Sequence, residues 1–407
     1  MKEKSVVSIV KGDITESPEN YTRKDLETVK AMVLKSLDLI GGLDKVVGKA
    51  KNVIVKPNLV EVPFESTGGS VVTDPRVLEA VIEILKEYGV EKVVVAEGKS
   101  VNLKHISSGP KQAFEDAGLG EIIRRAGGET LGWDEEPFVS VPNPNGEVLA
   151  EVNVPKSILD ADLFINLPKL KTHGQTEVTC GIKALQGVYS VEDKVQFHTE
   201  AFPWKMVEML RVAKPHLTIV DGLICGEHFG PIYTEPVKMD LVVSSEDVVS
   251  IDAVISEIMG IKAYEVPITR LADTEGIGNG KMENIEVRGE SVDSVMKYFD
   301  RAFLWNPIGY HKNIRIFAGD AGRFTLAQLG ATVRRLELEG LIDDLEEICV
   351  IVGHGAPIPV RDYKNVYVIG DSAADHPWRD RALGFIPGSP PLPSVQIVEA
   401  FKTHLKK

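Results

Sequence analysis

The sequence predicts an α/β fold: a mostly parallel sheet with helices on both faces, followed by a smaller C-terminal αβ domain. Three observations lead there. Short β-branched runs alternate with longer helical patterns almost from end to end. Several of those runs are apolar throughout, as strands covered on both faces are. The 407 residues, at about 150 per domain, suggest two domains or three.

The candidate strands are Ser5–Val10, Asn52–Val55, Lys92–Ala96, Asp162–Asn166, Leu217–Val220, Leu241–Val243, Ile314–Ala318, Cys349–Val352 and Val366–Ile369. Between them lie helices with marked ends. In TDPRVLEAVIEILKEYG, Thr73 or Asp74 can cap and Pro75 suits the first turn. Val77, Val81, Ile84 and Tyr88 share a face, and Gly89 closes the helix. Arg23–Ile40, Val248–Met259, Leu326–Glu339 and Ser394–Leu405 are further amphipathic segments. Glu129 to Val154, with a Pro-Asn-Gly turn, reads as a small antiparallel insertion. Composition changes near Val287–Asn313, so the main domain is expected over 1–290 and the smaller one over 313–407. The proline-rich FIPGSPPLP stretch reads as a rigid surface connection before the last helix.

Charge and composition exclude several classes. Lys plus Arg number 46 against 60 Asp plus Glu, a net charge of −14, which argues against a nucleic-acid partner because counterion release needs clustered basic surface. No apolar run approaches the roughly 18 residues of a membrane span, and the apolar stretch near the N-terminus is shorter than a signal peptide needs. The expectation is a cytoplasmic protein with no membrane partner. Cys180, Cys225 and Cys349 are too few and too scattered for a disulfide framework or a four-thiolate metal site, and they read as reduced thiols.

In open α/β sheets, ligands bind beyond the carboxyl ends of the strands. Here those exits repeatedly carry polar residues. NVIVKPN delivers Lys56 and Asn58, and VVVAEG delivers Glu97. LFINLPKLKTHG delivers Lys169, Lys171, Thr172 and His173, and LTIVDG delivers Asp221. Asp320, His354 and Asp371 follow strands of the second series, but there the turn-forming reading comes first.

The densest constellation is NLPKLKTHGQTEVTCGIKALQG, where Lys169, Lys171, His173 and Lys183 accompany Thr172, Thr176 and Thr179 with Glu177 as the one acid. In so acidic a protein this is a positive island. Lysine point charges with hydroxyls or backbone N–H groups suit a small anionic ligand, carboxylate or phosphate. The bland reading is a solvated basic loop. Lys56 can join the island, and His173, flanked by lysines, is the candidate acid/base, a satisfied structural histidine being the alternative. The Asp74 helix start favours an anion. The Gly68–Gly69 pair lacks P-loop spacing, and no G-x-G-x-x-G follows a strand. His198 and His228 lie in polar loops, and Asp221, Glu227 and His228 fall close together. A divalent cation held through Glu97 and Asp221 is therefore a candidate, without any HExxH or CxxC spacing to support it.

The run IVKPNLV, GGSVVTDPRVLEAVIEILKEYG, VVVAEG, INLPKLKTHGQTEVTCGIKALQGVYS, IVDGLICGEHFGP and SSEDVVSIDAV resembles the domain of unknown function 362 family (DUF362) over roughly Val53 to Gly289. The resemblance places the family pattern on Lys56, Asn58, Thr73, Asp74, Lys169 to His173, Lys183 and Asp221. Members often carry iron–sulfur clusters. VIGDSA and IPGSPPLP are similar to segments that hold cysteine in such relatives, where this chain has Ser372 and Ser389. Serine is a poor ligand for such iron, so no iron–sulfur cluster is expected.

Together these readings point to an enzyme acting on a small anionic metabolite. Lys56, Asn58, Asp74, Lys169, Thr172 and Lys183 would form the binding set, and Lys171 and His173 the catalytic pair. The alternative is a non-catalytic accessory or scaffold protein for a redox or metal-cofactor system. Either is compatible with a homo-oligomer.

Overall fold

The computed structural model describes residues 4–14, 18, 21–59, 68–99, 109–195, 201–301, 308–389, 391 and 394–406. In chain order the strands of the first part are β1 (Ser5–Lys11), β2 (Asn52–Pro57), β3 (Lys92–Glu97), β4 (Glu129–Gly132), β5 (Phe138–Pro142), β6 (Glu151–Pro155), β7 (Leu163–Leu167), β8 (Lys169–His173), β9 (Glu177–Thr179), β10 (Leu217–Phe229), β11 (Tyr233–Ser245) and β12 (Ile285–Gly289). Ten of them form one sheet in the order β12-β1-β11-β10-β7-β2-β3-β4, with β8 beside β10 and β9 beside β8.

The block from β10 through β7, β2 and β3 to β4 is parallel, as the apolar runs predict. The departure lies at β11, which runs antiparallel to both β10 and β1. Leu217–Val220 and Leu241–Val243 are thus the inner halves of one long hairpin rather than strands of separate βαβ units. Its outer half is polar and half-buried, so it carries no apolar run.

Alternate side chains of the parallel strands enter different cores, which is why their sequences lack in/out polarity. Val53, Val55, Val93 and Val95 pack with Leu26, Val29, Val77, Val81 and Ile84 of helices Arg23–Leu39 and Pro75–Tyr88. Ile54, Val94, Ala96 and Phe164 face Met206, Met209, Ile251 and Val254 of helices Phe202–Val212 and Val248–Ile258. Helices therefore cover both faces. Helix Pro75–Tyr88 has the ends its sequence specifies: Asp74 accepts a hydrogen bond from the Arg76 N–H, Pro75 opens the first turn, and Gly89 closes the helix at φ 104°.

The antiparallel insertion is smaller than its sequence implies. Glu129–Gly132 joins the main sheet as β4, parallel to β3. Only β5 and β6 form a separate antiparallel pair, clamped by the buried Glu208 carboxylate, which accepts from Asn143 Nδ2 and from the Glu147 N–H.

Beyond residue 308 a second sheet, β13 (Ile314–Ala318), β14 (Ile348–Val352), β15 (Asn365–Ile369) and β16 (Gly384–Ile386), is parallel throughout. It has its own core with helices Arg323–Leu338 and Ser394–Lys402, drawing on Leu329, Val333, Ile397 and Phe401. Of the proline-rich connection, residues 390, 392 and 393 lie outside the described residues.

Candidate functional site: a buried lysine cluster

The site gathers where the parallel block ends. Lys56 leaves β2 and Glu97 leaves β3. Their parallel pairing brings the ammonium and carboxylate to 2.7 Å, and Lys56 also donates to the Pro57 carbonyl at 3.0 Å.

Between β7 and β8 stands Pro168, so the chain that leaves β7 does not enter a loop. It continues as a second strand paired to the next part of β10, with Lys169 opposite Asp221. Strand periodicity then places Lys169, Lys171 and His173 on one side. Leu170, on the other side, enters the core.

All five residues of β8 are buried. The Lys169 ammonium meets Asp221 at 2.8 Å, and both side chains are fully buried. Asp221 also accepts from the Asp74 and Leu223 N–H groups. Asp74 is neutralised by Arg76, which donates to it through Nε and Nη2 at 2.9 and 2.7 Å. Asn58 donates from Nδ2 to the Val71 carbonyl and from its backbone N–H to Thr73 Oγ1.

Lys171 is the exception to this pairing. Its ammonium is fully buried and donates to the same Val71 carbonyl at 2.9 Å, with no carboxylate against it among the described residues. Burial first, then the charges of Lys183, Lys169 and Lys56, hold it well below the usual lysine range, while Glu97 pulls the other way. Lys183, half-buried on the short helix Gly181–Ala184, likewise has no carboxylate in salt-bridge contact among the described residues. Burial and Lys56 lower it to about 8, opposed by Glu97 and reinforced by Lys194. Lys56 and Glu97 thus act on both Lys171 and Lys183 through their charge.

His173 Nδ1 accepts the N–H groups of Gln175 and Thr176 at 3.0 and 3.3 Å. An acceptor nitrogen carries no proton, so the ring proton sits on Nε2. Thr172 points to the other side and donates to the His228 carbonyl at 2.9 Å.

The family model described as Domain of unknown function (DUF362) matches residues 53–257, just over half of the chain. The chain belongs to the DUF362 family. It is 28% identical over 254 residues to a thylakoid-associated protein of Synechocystis, covering 59% of this chain and 73% of that protein. Among solved structures it is similar to the lactate racemase apoprotein of Thermoanaerobacterium thermosaccharolyticum, at 16% identity and a TM-score of 0.35. The match covers 47% of this chain and 48% of that one. A protein from Thermotoga maritima matches at 14% identity and a TM-score of 0.35, over 65% of this chain and 60% of that one. The chain spans less than two thirds of either structure. Among the described residues no helix is long and apolar enough to cross a membrane.

Within this DUF362 chain, Glu97 and Asp221 are engaged by lysines. Asp221, Glu227 and His228 do not converge: Glu227 accepts from the Asp300 N–H, and His228 Nδ1 lies 3.3 Å from Glu235. Among the described residues no group of three or more His, Cys, Asp or Glu could hold a metal ion. His198 lies outside the described residues.

Asp320 and His354 exchange backbone hydrogen bonds, and Asp371 accepts from the Gly388 N–H, as turn residues do. All three belong to the second sheet, away from the lysine cluster. Ser372 sits in the turn after β15, and the three cysteines are free and buried.

Four residues escape a reading of the sequence. Gly187 lies against the Lys56–Glu97 pair, where a Cβ would fall 1.9 Å from Glu97 Oε1. Gly98 touches Gly187 in turn, where a Cβ would fall 2.1 Å from the Gly187 carbonyl. Their only signal is that each follows a motif residue closely. Lys194 and Lys205, both buried, extend the cationic cluster. The Lys205 ammonium donates to the Lys194 carbonyl at 2.8 Å and lies 4.7 Å over the Tyr189 ring. Burial and Lys194 lower it to about 7. Neither sits in a pattern that distinguishes it from a surface lysine.

Proposed function

We propose that this DUF362 member is an enzyme that binds a small anionic metabolite, a carboxylate or a phosphate, at the lysine cluster. The observation that supports this most is Lys171, a buried ammonium with a carbonyl but no carboxylate beside it. Charging a buried amine that no carboxylate compensates costs several kcal/mol, which is what holds its basicity down. A negatively charged guest relieves that cost, which makes binding favourable at this position above others.

In this reading Lys56 and Lys169 are held in place by Glu97 and Asp221, and Lys171 and Lys183 receive the guest. Asn58 and Asp74 brace the floor through Val71 and Asp221. Thr172, turned to β10, positions its strand rather than the ligand. His173, with its proton on Nε2, serves as a hydrogen-bond donor that polarises a guest oxygen, in the way a neutral imidazole acts as an electrophile. The proton transfer expected of it from the sequence passes to Lys171, whose basicity is depressed by burial and by the neighbouring lysines and which can therefore exchange a proton more readily than an ordinary lysine.

The accessory or scaffold reading expects the lysines to splay over an exposed face. Burial of Lys56, Lys169 and Lys171 at 1% exposure or less favours a binding site instead. Three free, buried cysteines agree with a reducing, cytoplasmic setting.

Thermal melts of the full chain with inorganic phosphate and with small carboxylates test the proposal. Wild-type protein should be stabilised in proportion to the logarithm of anion concentration above Kd, by about 2.7 kcal/mol at a hundred times Kd. Lys171→Met should lose the shift. Melting unchanged by every anion, or an equal shift in the variant, contradicts it.

A further inference from the structure

A cavity of about 230 Å³ opens beside Lys205, between the β5–β6 pair, helix Val191–Val195 and helix Phe202–Val212. Ser140, Glu151 and Asn153 reach it from one face of the strand pair, since Ser140 stands opposite Asn153 and Glu151 lies two residues before Asn153 on β6. Tyr189, Asp193 and Lys205 supply the rest of its polar lining.

Its floor and rim carry opposite charge. Lys205 and Tyr189 are 1% and 2% exposed, whereas Ser140 and Glu151 are exposed. The floor is fixed in place: the Tyr189 hydroxyl donates to the Lys205 carbonyl at 2.5 Å, and the Lys205 ammonium lies 4.7 Å over the Tyr189 ring. Asp193 accepts from Asn153 Nδ2 at 3.0 Å and from Ser190 Oγ at 2.8 Å, both on Oδ2. Glu151 accepts from Ser140 Oγ at 2.6 Å on Oε2. Among the described residues each carboxylate thus keeps one oxygen uncommitted, and neither forms an ion pair.

We infer that this cavity binds a small amino acid of about valine's size, its ammonium group on the Asp193 carboxylate, its carboxylate on the Lys205 ammonium, and Glu151 drawing the cationic end in at the rim. The size follows from the volume, which at about 30 Å³ per water holds roughly eight water molecules, or a ligand of about eight non-hydrogen atoms. Asp193 and Lys205 line the same small space, so one such molecule reaches both. The charges select the class. A plain carboxylate meets Asp193 and Glu151, a plain amine meets Lys205, and a molecule bearing both signs finds a partner for each. Leu149 and the Tyr189 ring leave an apolar surface for an aliphatic side chain. This site goes beyond the anion-binding reading and does not rest on it.

Isothermal titration calorimetry of the full chain at pH 6 with L-valine, isobutylamine and isovalerate tests this, the last two being valine without its carboxylate and without its ammonium group. At that pH Lys205, lowered to about 7 by burial and Lys194, carries its proton. Valine should bind about tenfold or more tighter than either analogue, since each lacks one charged hydrogen-bonding group. Asp193→Asn, which keeps the shape of the side chain, should bring valine to the level of isovalerate, and Lys205→Met should bring it to the level of isobutylamine. The same titrations with Lys171→Met leave out any carboxylate taken at the lysine cluster, and valine should still bind there. Either analogue within about threefold of valine in Lys171→Met, valine affinity unchanged by Asp193→Asn or by Lys205→Met, or no binding of valine overturns the inference. Loss of valine binding in Lys171→Met assigns that binding to the lysine cluster and overturns it as well.

Discussion

The Lys56 ammonium and the Glu97 carboxylate meet at 2.7 Å across the carboxyl ends of two adjacent parallel strands, with side-chain exposures of 1% and 7%. The pair is the hinge of the site, since Lys56 acts on both Lys171 and Lys183 and the Gly187 backbone lies against it.

Removing one partner leaves the other charge buried and unmatched. Glu97→Gln should therefore destabilise the chain by about 3–5 kcal/mol, while the double variant Lys56→Met/Glu97→Leu should recover most of the loss. Urea unfolding at pH 7 reads this. A double variant no more stable than the single one contradicts the pairing.

Gly187→Ala should disturb the same pair sterically. A Cβ there would sit 1.9 Å from Glu97 Oε1 and 2.7 Å from Lys56 Cε, and overpacking of this kind costs about 1–3 kcal/mol. The lysine cluster would shift with it, so phosphate-induced stabilisation in a thermal melt should shrink. A variant with wild-type stability and an unchanged phosphate shift contradicts the packing.

Stability should pass through a minimum near neutral pH in the absence of ligand. Lys183 is lowered to about 8 and Lys205 to about 7, from an ordinary value of 10.5. Between those values and 10.5 the unfolded chain holds protons the folded chain lacks, so stability rises with pH across that window and is lost as pH falls through the folded values. Asp252 is raised from 3.8 to about 7, by burial, against the N–H groups of Ile182 and Gly181. Its contribution is full below 3.8 and is lost as pH rises through about 7. Urea midpoints from pH 4 to 10 should show both limbs. Lys205→Met should flatten the alkaline limb and Asp252→Asn the acid limb, and limbs unchanged by these substitutions contradict the assignment.

The parallel block, both helix layers and most strand positions were legible because each strand buries both faces and each helix one, leaving uninterrupted apolar runs and 3.6-residue periods. Strand β8 was not, because Lys169, Lys171, Thr172 and His173 read as a strand-exit loop, although they form a strand and all of them are buried. A lysine buried against a carboxylate or a carbonyl looks the same in sequence as one in water. Asp221 was legible as a strand-exit residue, but not as a residue within the long β10–β11 hairpin, whose outer half is too polar to announce itself. The grouping of Lys56 with Lys169, Lys171 and Lys183 was an expectation from the strand exits and from the dense segment that holds the last three. The pairing that leaves two of them unmatched required the side-chain partners.

Crystals grown at pH 7 with sulfate give the most direct measurement of the central claim, that the cluster receives an anion at its unmatched lysines. Density for a sulfate within about 3 Å of the Lys171 Nζ atom is the result this account predicts. Sulfate bound only elsewhere, with the Lys171 ammonium still on the Val71 carbonyl, would contradict it.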